Sequence, residues 1–220
     1  MSFPRAPALA LALAFLGPSP AVSCTTALIL AIDVSNSIDE GEYRIQTRGL
    51  ASALEDPAIR EELLRGQVAL TVIQWSGIGQ QAVSIPWRRM TTPGEVQALA
   101  DEARAMPRAF VMSDTAVGAL IGFALDQFGP VADCQRRVID ISGDGPDNAG
   151  TDPTPARRSA ERAGVQINGL AIEGIGVAIT SYYRRQVITR DGFVMTARGH
   201  STYAETLRQK ILREISAALF

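Results

Sequence analysis

The stretch LILAIDVSNSIDEGEY, residues 28–43, carries three oxygen-bearing side chains at alternate positions. Asp33 ends an apolar run, and Ser35 and Ser37 follow it before a predicted helix begins. Alternate side chains of an extended segment point to the same side, so these oxygens can face a common point. Hard oxygen donors suit Mg²⁺, Mn²⁺ or Ca²⁺ and argue against zinc. By itself, however, the pattern is more typical of a helix cap and a turn.

Two later segments offer the same kind of donor. The sequence SDT at 113–115 precedes a predicted apolar helix, and SGDG at 142–145 ends an apolar strand. In an open α/β sheet, ligands bind at the carboxyl ends of the strands, near the point where the strand order reverses. The oxygen donors that these two segments offer are Ser113, Asp114 and Thr115 in the first, and Ser142 and Asp144 in the second. His200 is the only histidine and has no evident nucleophile to serve, so we expect a surface or capping role for it.

Strand and helix signals alternate along the chain. Helical spacing and capping residues fill the intervals between apolar runs, and Pro86 suits an edge strand because proline cannot donate to an inner ladder. The pattern predicts an α/β fold with a doubly wound, mostly parallel sheet and helices on both faces. The predicted strands are 26–32, 67–75, 82–87, 136–142, 165–172 and 193–197, and Leu207, Ile211, Ile215 and Leu219 predict a closing amphipathic helix.

The first 23 residues have the organisation of a secretory signal peptide. Arg5 is their only charge, 8–16 is a short apolar core, and AVS at 21–23 offers small residues for cleavage. The core is too short to span a bilayer, and no later segment is long enough. We therefore expect a signal peptide at 1–23, one domain at 24–220, and a periplasmic or secreted location in a bacterium.

Two cysteines stand at the entry ends of predicted strands. Cys24 precedes the strand 26–32, and Cys134 precedes the strand 136–142. If these strands are parallel neighbours, the two sulfur atoms lie level, and an oxidising compartment favours a disulfide between them. Two alternatives stay open: a lipoprotein acylated at Cys24, for which AVS is a poor leader ending, and two unpaired thiols.

The charge balance excludes a nucleic-acid partner on electrostatic grounds. The chain has 21 basic and 23 acidic residues and a net charge of −2, without a basic block. Removal of the segment with Arg5 leaves 20 basic residues, and therefore a charge of −3.

Asp140 lies inside a predicted buried strand, where we expect it to be a hydrogen-bonded structural acid.

The three donor segments resemble the metal-ion-dependent adhesion site of von Willebrand factor type A (vWA) domains. The resemblance covers 24–220, and VIDISGDGPDN and IQWSG also resemble the bacterial exported DUF1194 subfamily. It implies that Asp33, Ser35 and Ser37 form the first metal loop, with Thr115 in the second and Asp144 in the third. Asn36 stands where glycine is common in the family. Rim residues are expected at Asp114, Asp147 and Asn148, although a turn role suits the last two equally.

The resemblance implies a binding module without enzymatic activity. It would hold Mg²⁺, or Mn²⁺ or Ca²⁺, and leave one coordination position for an Asp or Glu carboxylate of a partner protein. One rival is a metal-dependent hydrolase of the phosphatase type, in which an Asp would be expected at position 35 and a lysine near the phosphate. Ser35 lacks that acid–base chemistry, and the only lysine is Lys210 in the last helix. The other rival is a metal site with a purely structural role.

Overall fold

The computed structural model describes residues 24–111, 113–150, 152–174 and 178–216. The predicted signal peptide and Leu219 lie outside this part of the chain. The strands are β1 Thr26–Asp33, β2 Ala69–Trp75, β3 Gln81–Arg89, β4 Arg136–Gly143, β5 Val165–Ile172 and β6 Val194–Ala197. The helices are α1 Glu40–Glu55, α2 Pro57–Arg65, α3 Pro93–Ala105, α4 Val117–Leu125, α5 Pro153–Arg162, α6 Ile179–Tyr182 and α7 Tyr203–Ser216. Short turns complete them: 3-10 turns at Asp126–Val131 and His200–Thr202, and a π-helical turn at Tyr183–Val187.

The six strands form one sheet in the order β3-β2-β1-β4-β5-β6. All neighbours are parallel except β2 and β3, which are antiparallel, and this confirms the predicted mostly parallel sheet. The strand that contains Pro86 lies at an edge, as predicted. The order reverses between β1 and β4, so the carboxyl ends of these two strands flank the crevice where such sheets bind ligands.

Two apolar layers cover the sheet, one on each face. In β1 the side chains alternate: Leu28 and Leu30 belong to one core cluster, and Ile29 to the other. Helices α1, α3 and α7 pack over the first cluster, and α4 and α5 over the second. Each fully buried Leu or Ile contributes about 1.5–3 kcal/mol, so these layers fix the strand ends in place. Helices on both faces confirm the predicted doubly wound fold.

Helix α1 begins directly after the first donor segment because a capping box at Asp39 and Glu42 fixes the helix start there. The Glu42 backbone N–H donates to Asp39 Oδ1 at 2.8 Å, and the Asp39 N–H donates to Glu42 Oε2 at 2.9 Å. These two bonds satisfy helix N–H groups that have no partner within the helix. The short segment 34–38 is thus held between a central strand and a capped helix.

A disulfide joins Cys24 and Cys134, with an S–S distance of 1.98 Å. The expected geometry holds, because β1 and β4 are parallel neighbours and the two Cα atoms lie 4.6 Å apart. Of the three hypotheses for the cysteines, a disulfide, a lipid anchor and unpaired thiols, the structure therefore supports the disulfide. A bonded Cys24 sulfur is not available for acylation.

The buried acid of β4 is paired with the only lysine of the chain. Lys210 Nζ lies 2.5 Å from Asp140 Oδ1 and 2.6 Å from Glu214 Oε1, and all three side chains are buried. Asn168 Nδ2 also donates to Glu214 Oε1, at 2.8 Å. Asp140 is therefore a structural acid, as predicted, but its partner is a cation on α7. Burial, followed by the charge of Asp140, raises the pKa of Glu214 to about 8.

Candidate metal centre

The first donor segment is folded into a tight turn at the end of β1. The Ser35 backbone N–H donates to Asp33 Oδ1 at 2.8 Å, and the Ile38 N–H donates to the Ser35 carbonyl at 3.0 Å. The Val34 N–H continues the ladder to the Trp75 carbonyl at 2.9 Å. Among the described residues other than glycine, only Gln67 has a positive φ, so this turn does not require glycine at position 36.

A chain of short polar contacts joins this turn to the end of β4. The Ser35 and Ser37 hydroxyl oxygens lie 3.1 Å apart, and Ser37 Oγ donates to Asp144 Oδ1 at 2.5 Å. Asp33 and Ser35 are buried, whereas Asp144 is partly exposed. The four side chains therefore meet at the carboxyl ends of β1 and β4, where the strand order reverses.

Thr115 is buried beside the same point, in the loop before α4. Its N–H donates to Asn148 Oδ1 at 2.7 Å, and the Asn148 N–H returns a bond to the Thr115 carbonyl at 3.0 Å. A Cβ built on Gly145 would lie 3.8 Å from Thr115 Oγ1, so the hydroxyl faces the loop that carries Asp144. Helix α4 begins at Val117, and the N–H groups at 115 and 116 donate to the Asn148 side chain and the Ser76 carbonyl.

One carboxylate oxygen at this point is buried without a hydrogen-bond partner. Asp33 Oδ2 and the Tyr183 hydroxyl are both in this state, and both lie against Gly143. A Cβ built on Gly143 would lie 2.8 Å from Asp33 Oδ2 and 2.7 Å from Tyr183 Oη, which leaves no room for a larger residue. A buried carboxylate oxygen without a partner is costly, and a bound cation is one way to satisfy it.

Burial also shifts the protonation of both acids. It raises the pKa of Asp33 to about 7, against the opposing hydrogen bonds from Ser35. Burial raises the pKa of Asp144 as well, with the Ser37 hydroxyl opposing it. A divalent cation beside the two carboxylates would reverse these shifts, since it favours the charged form.

Two clefts open beside the centre. One, of about 370 Å³, is lined by Asn36, Ser37, Ser113, Asp114, Thr115 and Asn148. Of the expected rim residues, Asp114 and Asn148 lie in this lining. The third expected rim residue, Asp147, lies in the loop after β4 that also carries Asn148, and its backbone N–H donates to Tyr182 Oη at 3.2 Å.

The other cleft, of about 260 Å³, is lined by side chains that include Glu42, Asp144 and His200. His200 is mostly buried, and its Nδ1 lies 2.9 Å from Glu42 Oε1. The histidine is therefore tied to the first turn of α1, and it lies more deeply than a surface residue.

Sequence reasoning did not identify Arg108, which holds the first turn from behind. Its Nη2 donates to the carbonyls of Val34 and Ser35, each at 2.9 Å. Gln74 fixes the neighbouring backbone by donating to the Pro107 carbonyl and accepting from the Ala109 N–H, at 2.8 and 2.9 Å. An arginine in a loop belongs to no helical or strand periodicity that would predict its contacts. Only the folded structure shows which carbonyls it binds.

The candidate donors at this point are two carboxylates and three hydroxyls. In the described part of the chain, no group of three or more His, Cys, Asp or Glu side chains is arranged to hold a metal ion. A cation at this point would therefore depend on Ser35, Ser37 and Thr115 as well as on the acids. Oxygen-only donors of this kind fit Mg²⁺, Mn²⁺ or Ca²⁺.

Solved structures with the same fold place this domain in a class. Proximal thread matrix protein 1 from the mussel byssus matches with a TM-score of 0.66 and 17% identity, over 87% of this chain and 48% of that one. A structure of the same mussel protein with zinc in its metal-ion-dependent adhesion site (MIDAS) motif matches with a TM-score of 0.62 and 13% identity. The match covers 90% of this chain and 46% of that one. The von Willebrand factor type A structure from Catenulispora acidiphila matches with a TM-score of 0.59 and 17% identity, over 88% and 43%. The chain spans about half the length of these proteins, and it has the vWA fold.

The family follows from the sequence itself. The profile of the family described as "Protein of unknown function (DUF1194)" matches residues 23–219, so the chain belongs to that family. No curated protein matches the chain. Within its described residues, no helix combines the length and apolar character that crossing a membrane requires.

Proposed function

We propose that this protein is an exported binding module that docks an acidic side chain of a partner protein through a divalent cation. Asp33, Ser35, Ser37, Thr115 and Asp144 would hold the cation, with Mg²⁺ as the expected ion. When bound, the cation supplies a Lewis-acidic position for a partner carboxylate. The vWA fold, which this chain shares with a matrix protein, supports a protein-binding role.

The observation that carries the proposal is the unpartnered Asp33 Oδ2 beside a converging set of hydroxyls. This oxygen is buried against Gly143 at the end of β4, and the neighbouring Asp144 accepts from Ser37 Oγ at 2.5 Å. The turn uses only Oδ1, which accepts from the Ser35 N–H, and it therefore gives Oδ2 no partner of its own. The three neutral hydroxyls would leave a bound cation with residual positive charge, and so with affinity for a partner's carboxylate.

Apolar side chains beside the centre support a protein partner. Ile78 and Val111 are 64% and 65% exposed, the highest values among the large apolar side chains described. Their loops adjoin the cleft, since the Gly77 N–H donates to Ser113 Oγ, and Ser113 lines the cleft. Exposed apolar groups around a polar centre are typical of a surface that a partner covers.

The positions of the basic groups favour binding over phosphoryl chemistry. Lys210, the only lysine, is fully buried between two acids and does not line the cleft. Ser35 stands where a phosphatase of the Asp-x-Asp type has its acid, and a hydroxyl is too weak an acid to serve as the general acid near neutral pH. The disulfide is compatible with the export that the leader predicts, because such bonds persist in oxidising compartments.

The experiment is a capture assay on the exported protein fraction, with Mg²⁺ or with EDTA. We expect a partner to be retained only with Mg²⁺, and to be lost with Asp33→Ala. Asp126→Ala is the matched control, because Asp126 is an exposed acid after α4. Replacement of a single Asp or Glu in the captured partner should abolish its retention. Retention that is equal in EDTA, or unaffected by Asp33→Ala, would exclude cation-mediated docking and leave only a structural role for any bound metal.

A further inference from the structure

A groove rich in arginine lies at the opposite end of the domain. It consists of two adjoining clefts, of about 410 and 910 Å³, between α5 and the segment 184–191. Val165, the first residue of β5, lines it, so the groove lies at the amino ends of the strands, away from Asp33 and Asp144. We call it the α5 groove, and its charged residues are Arg157, Arg158, Glu161, Arg162, Arg184, Arg190 and Asp191.

Hydrogen bonds across the α5 groove hold its two walls together. Arg157 Nη1 donates to the Arg185 carbonyl at 2.9 Å, and the Arg190 N–H donates to Glu161 Oε1 at 3.2 Å. Gln166 Nε2 donates to the Asp191 carbonyl at 2.8 Å on the β5 side. The concave shape is therefore built by the fold and does not depend on surface side chains alone.

The groove is lined by more basic than acidic side chains, five arginines against Glu161 and Asp191, and Asp152 and Glu173 lie near enough to lower its positive potential in part. In the described residues, none of its five arginines forms an ion pair with a carboxylate. Elsewhere the arginines that do form such pairs are Arg44, Arg65, Arg88, Arg89, Arg104 and Arg208. Arg162 Nη2 donates to the Ser159 hydroxyl at 2.9 Å, and Arg157 Nε is buried without a hydrogen-bond partner. The concentration of unpaired arginines contrasts with the net charge of −2 of the whole chain.

We propose that the α5 groove binds a ligand through a phosphoryl group that carries two or more negative charges. Arginine presents a planar set of donors that matches the oxygens of phosphate, and several arginines in one concavity suit a compact multiply charged group. A flat membrane surface fits less well, because the exposed large apolar side chains described are Ile45, Ile78, Val83 and Val111, and none of them lines the groove. The function of the metal centre is not required for this site.

The test is calorimetric titration of inorganic pyrophosphate into the whole protein, with EDTA present so that the metal centre makes no contribution. We expect saturable binding, weakened at least about tenfold in the double variant Arg158→Gln/Arg190→Gln, since each charge-assisted hydrogen bond is worth about a factor of ten or more. Arg48→Gln/Arg60→Gln removes the same charge from α1 and α2 and should leave the affinity unchanged. Thermal unfolding checks that each variant is folded.

A second variant predicts an effect of opposite sign. Glu161→Gln removes one of the two acids that line the groove but keeps an oxygen for the Arg190 N–H, so it should tighten pyrophosphate binding. Absence of saturable binding, or equal affinity in the double variant, would overturn the proposal. A hexa-aspartate peptide that binds as tightly as pyrophosphate would assign the groove to an acidic protein segment instead. Binding to phosphatidylglycerol vesicles without binding of free pyrophosphate would assign it to a membrane surface.

Discussion

Without a cation, the Asp33 carboxylate should destabilise the protein at neutral and alkaline pH. Its pKa rises from 3.8 to about 7 in the folded state because the group is buried. This difference corresponds to about 4 kcal/mol against the charged form, since a tenfold change in proton affinity is worth ~1.4 kcal/mol. The substitution Asp33→Asn removes the charge and keeps Oδ1 to accept from the Ser35 N–H. In EDTA at pH 8, we therefore expect the variant to be more stable than the wild type, by up to about 4 kcal/mol.

The sign of the pH dependence follows from the same pKa. At pH 3.5 the acid is mostly neutral in both folded and unfolded chains, so the two proteins should differ little. Between about pH 4 and 7 the unfolded chain ionises first, and the wild type loses stability relative to the variant. Above pH 7 the difference becomes constant. Urea unfolding in EDTA at a series of pH values measures it, and Asp126→Asn is the control for loss of one acid.

Addition of Mg²⁺ at pH 8 should reverse the order of stability, because a ligand of the folded state stabilises it by mass action. The wild type should gain stability, and Asp33→Asn should gain little. If Asp33→Asn is no more stable than the wild type in EDTA at pH 8, the buried carboxylate is satisfied in some other way. A bound cation would then not be needed to offset the burial of Asp33.

Three further predictions concern the parts that position the centre. Replacement of Cys24 and Cys134 by serine should cost about 4–5 kcal/mol, because the bond closes a loop with a sequence separation of 110; unfolding midpoints with and without reductant check this, and equal midpoints would contradict it. Arg108→Ala should weaken Mg²⁺ binding about tenfold or more although it supplies no ligand, whereas the exposed Arg44→Ala should not; calorimetry decides, and equal losses would refute a positioning role. Lys210→Met should cost about 3–5 kcal/mol in urea unfolding, since it leaves two buried acids without a cation, and a loss below 1 kcal/mol would show that they are neutral already.

The sheet could be predicted from the sequence because its strands are apolar on both faces. The run that became β1 is buried at every position, and such runs bounded by polar turns indicate inner parallel strands. The edge position of β3 followed from Pro86. The disulfide followed from the same reasoning, since two cysteines before neighbouring parallel strands lie level.

The proximity of the candidate side chains could be predicted from the sequence, but the residues that support them could not. Asp33, Ser35 and Ser37 are close in sequence, and the topology of the sheet brings Asp144 beside them. Arg108 could not be found in this way, because its contacts are with backbone carbonyls that no sequence pattern marks.

Long-range ionic contacts were also beyond the sequence. Asp140 could be recognised as a buried acid, but its partner Lys210 lies on a helix 70 residues later. A lysine within an amphipathic helix normally indicates a solvated face. Only the packing of α7 against the sheet shows that this face is buried.

The central claim is that Asp33 and Asp144 hold a divalent cation, and the most direct measurement is calorimetric titration of Mg²⁺ into three proteins. These are the wild type, Asp33→Ala and Asp144→Ala, with Mn²⁺, Ca²⁺ and Zn²⁺ titrated in parallel to establish which ion is preferred. We predict one site per chain in the wild type and a large loss of affinity in both variants. Equal affinity in all three proteins would contradict the account.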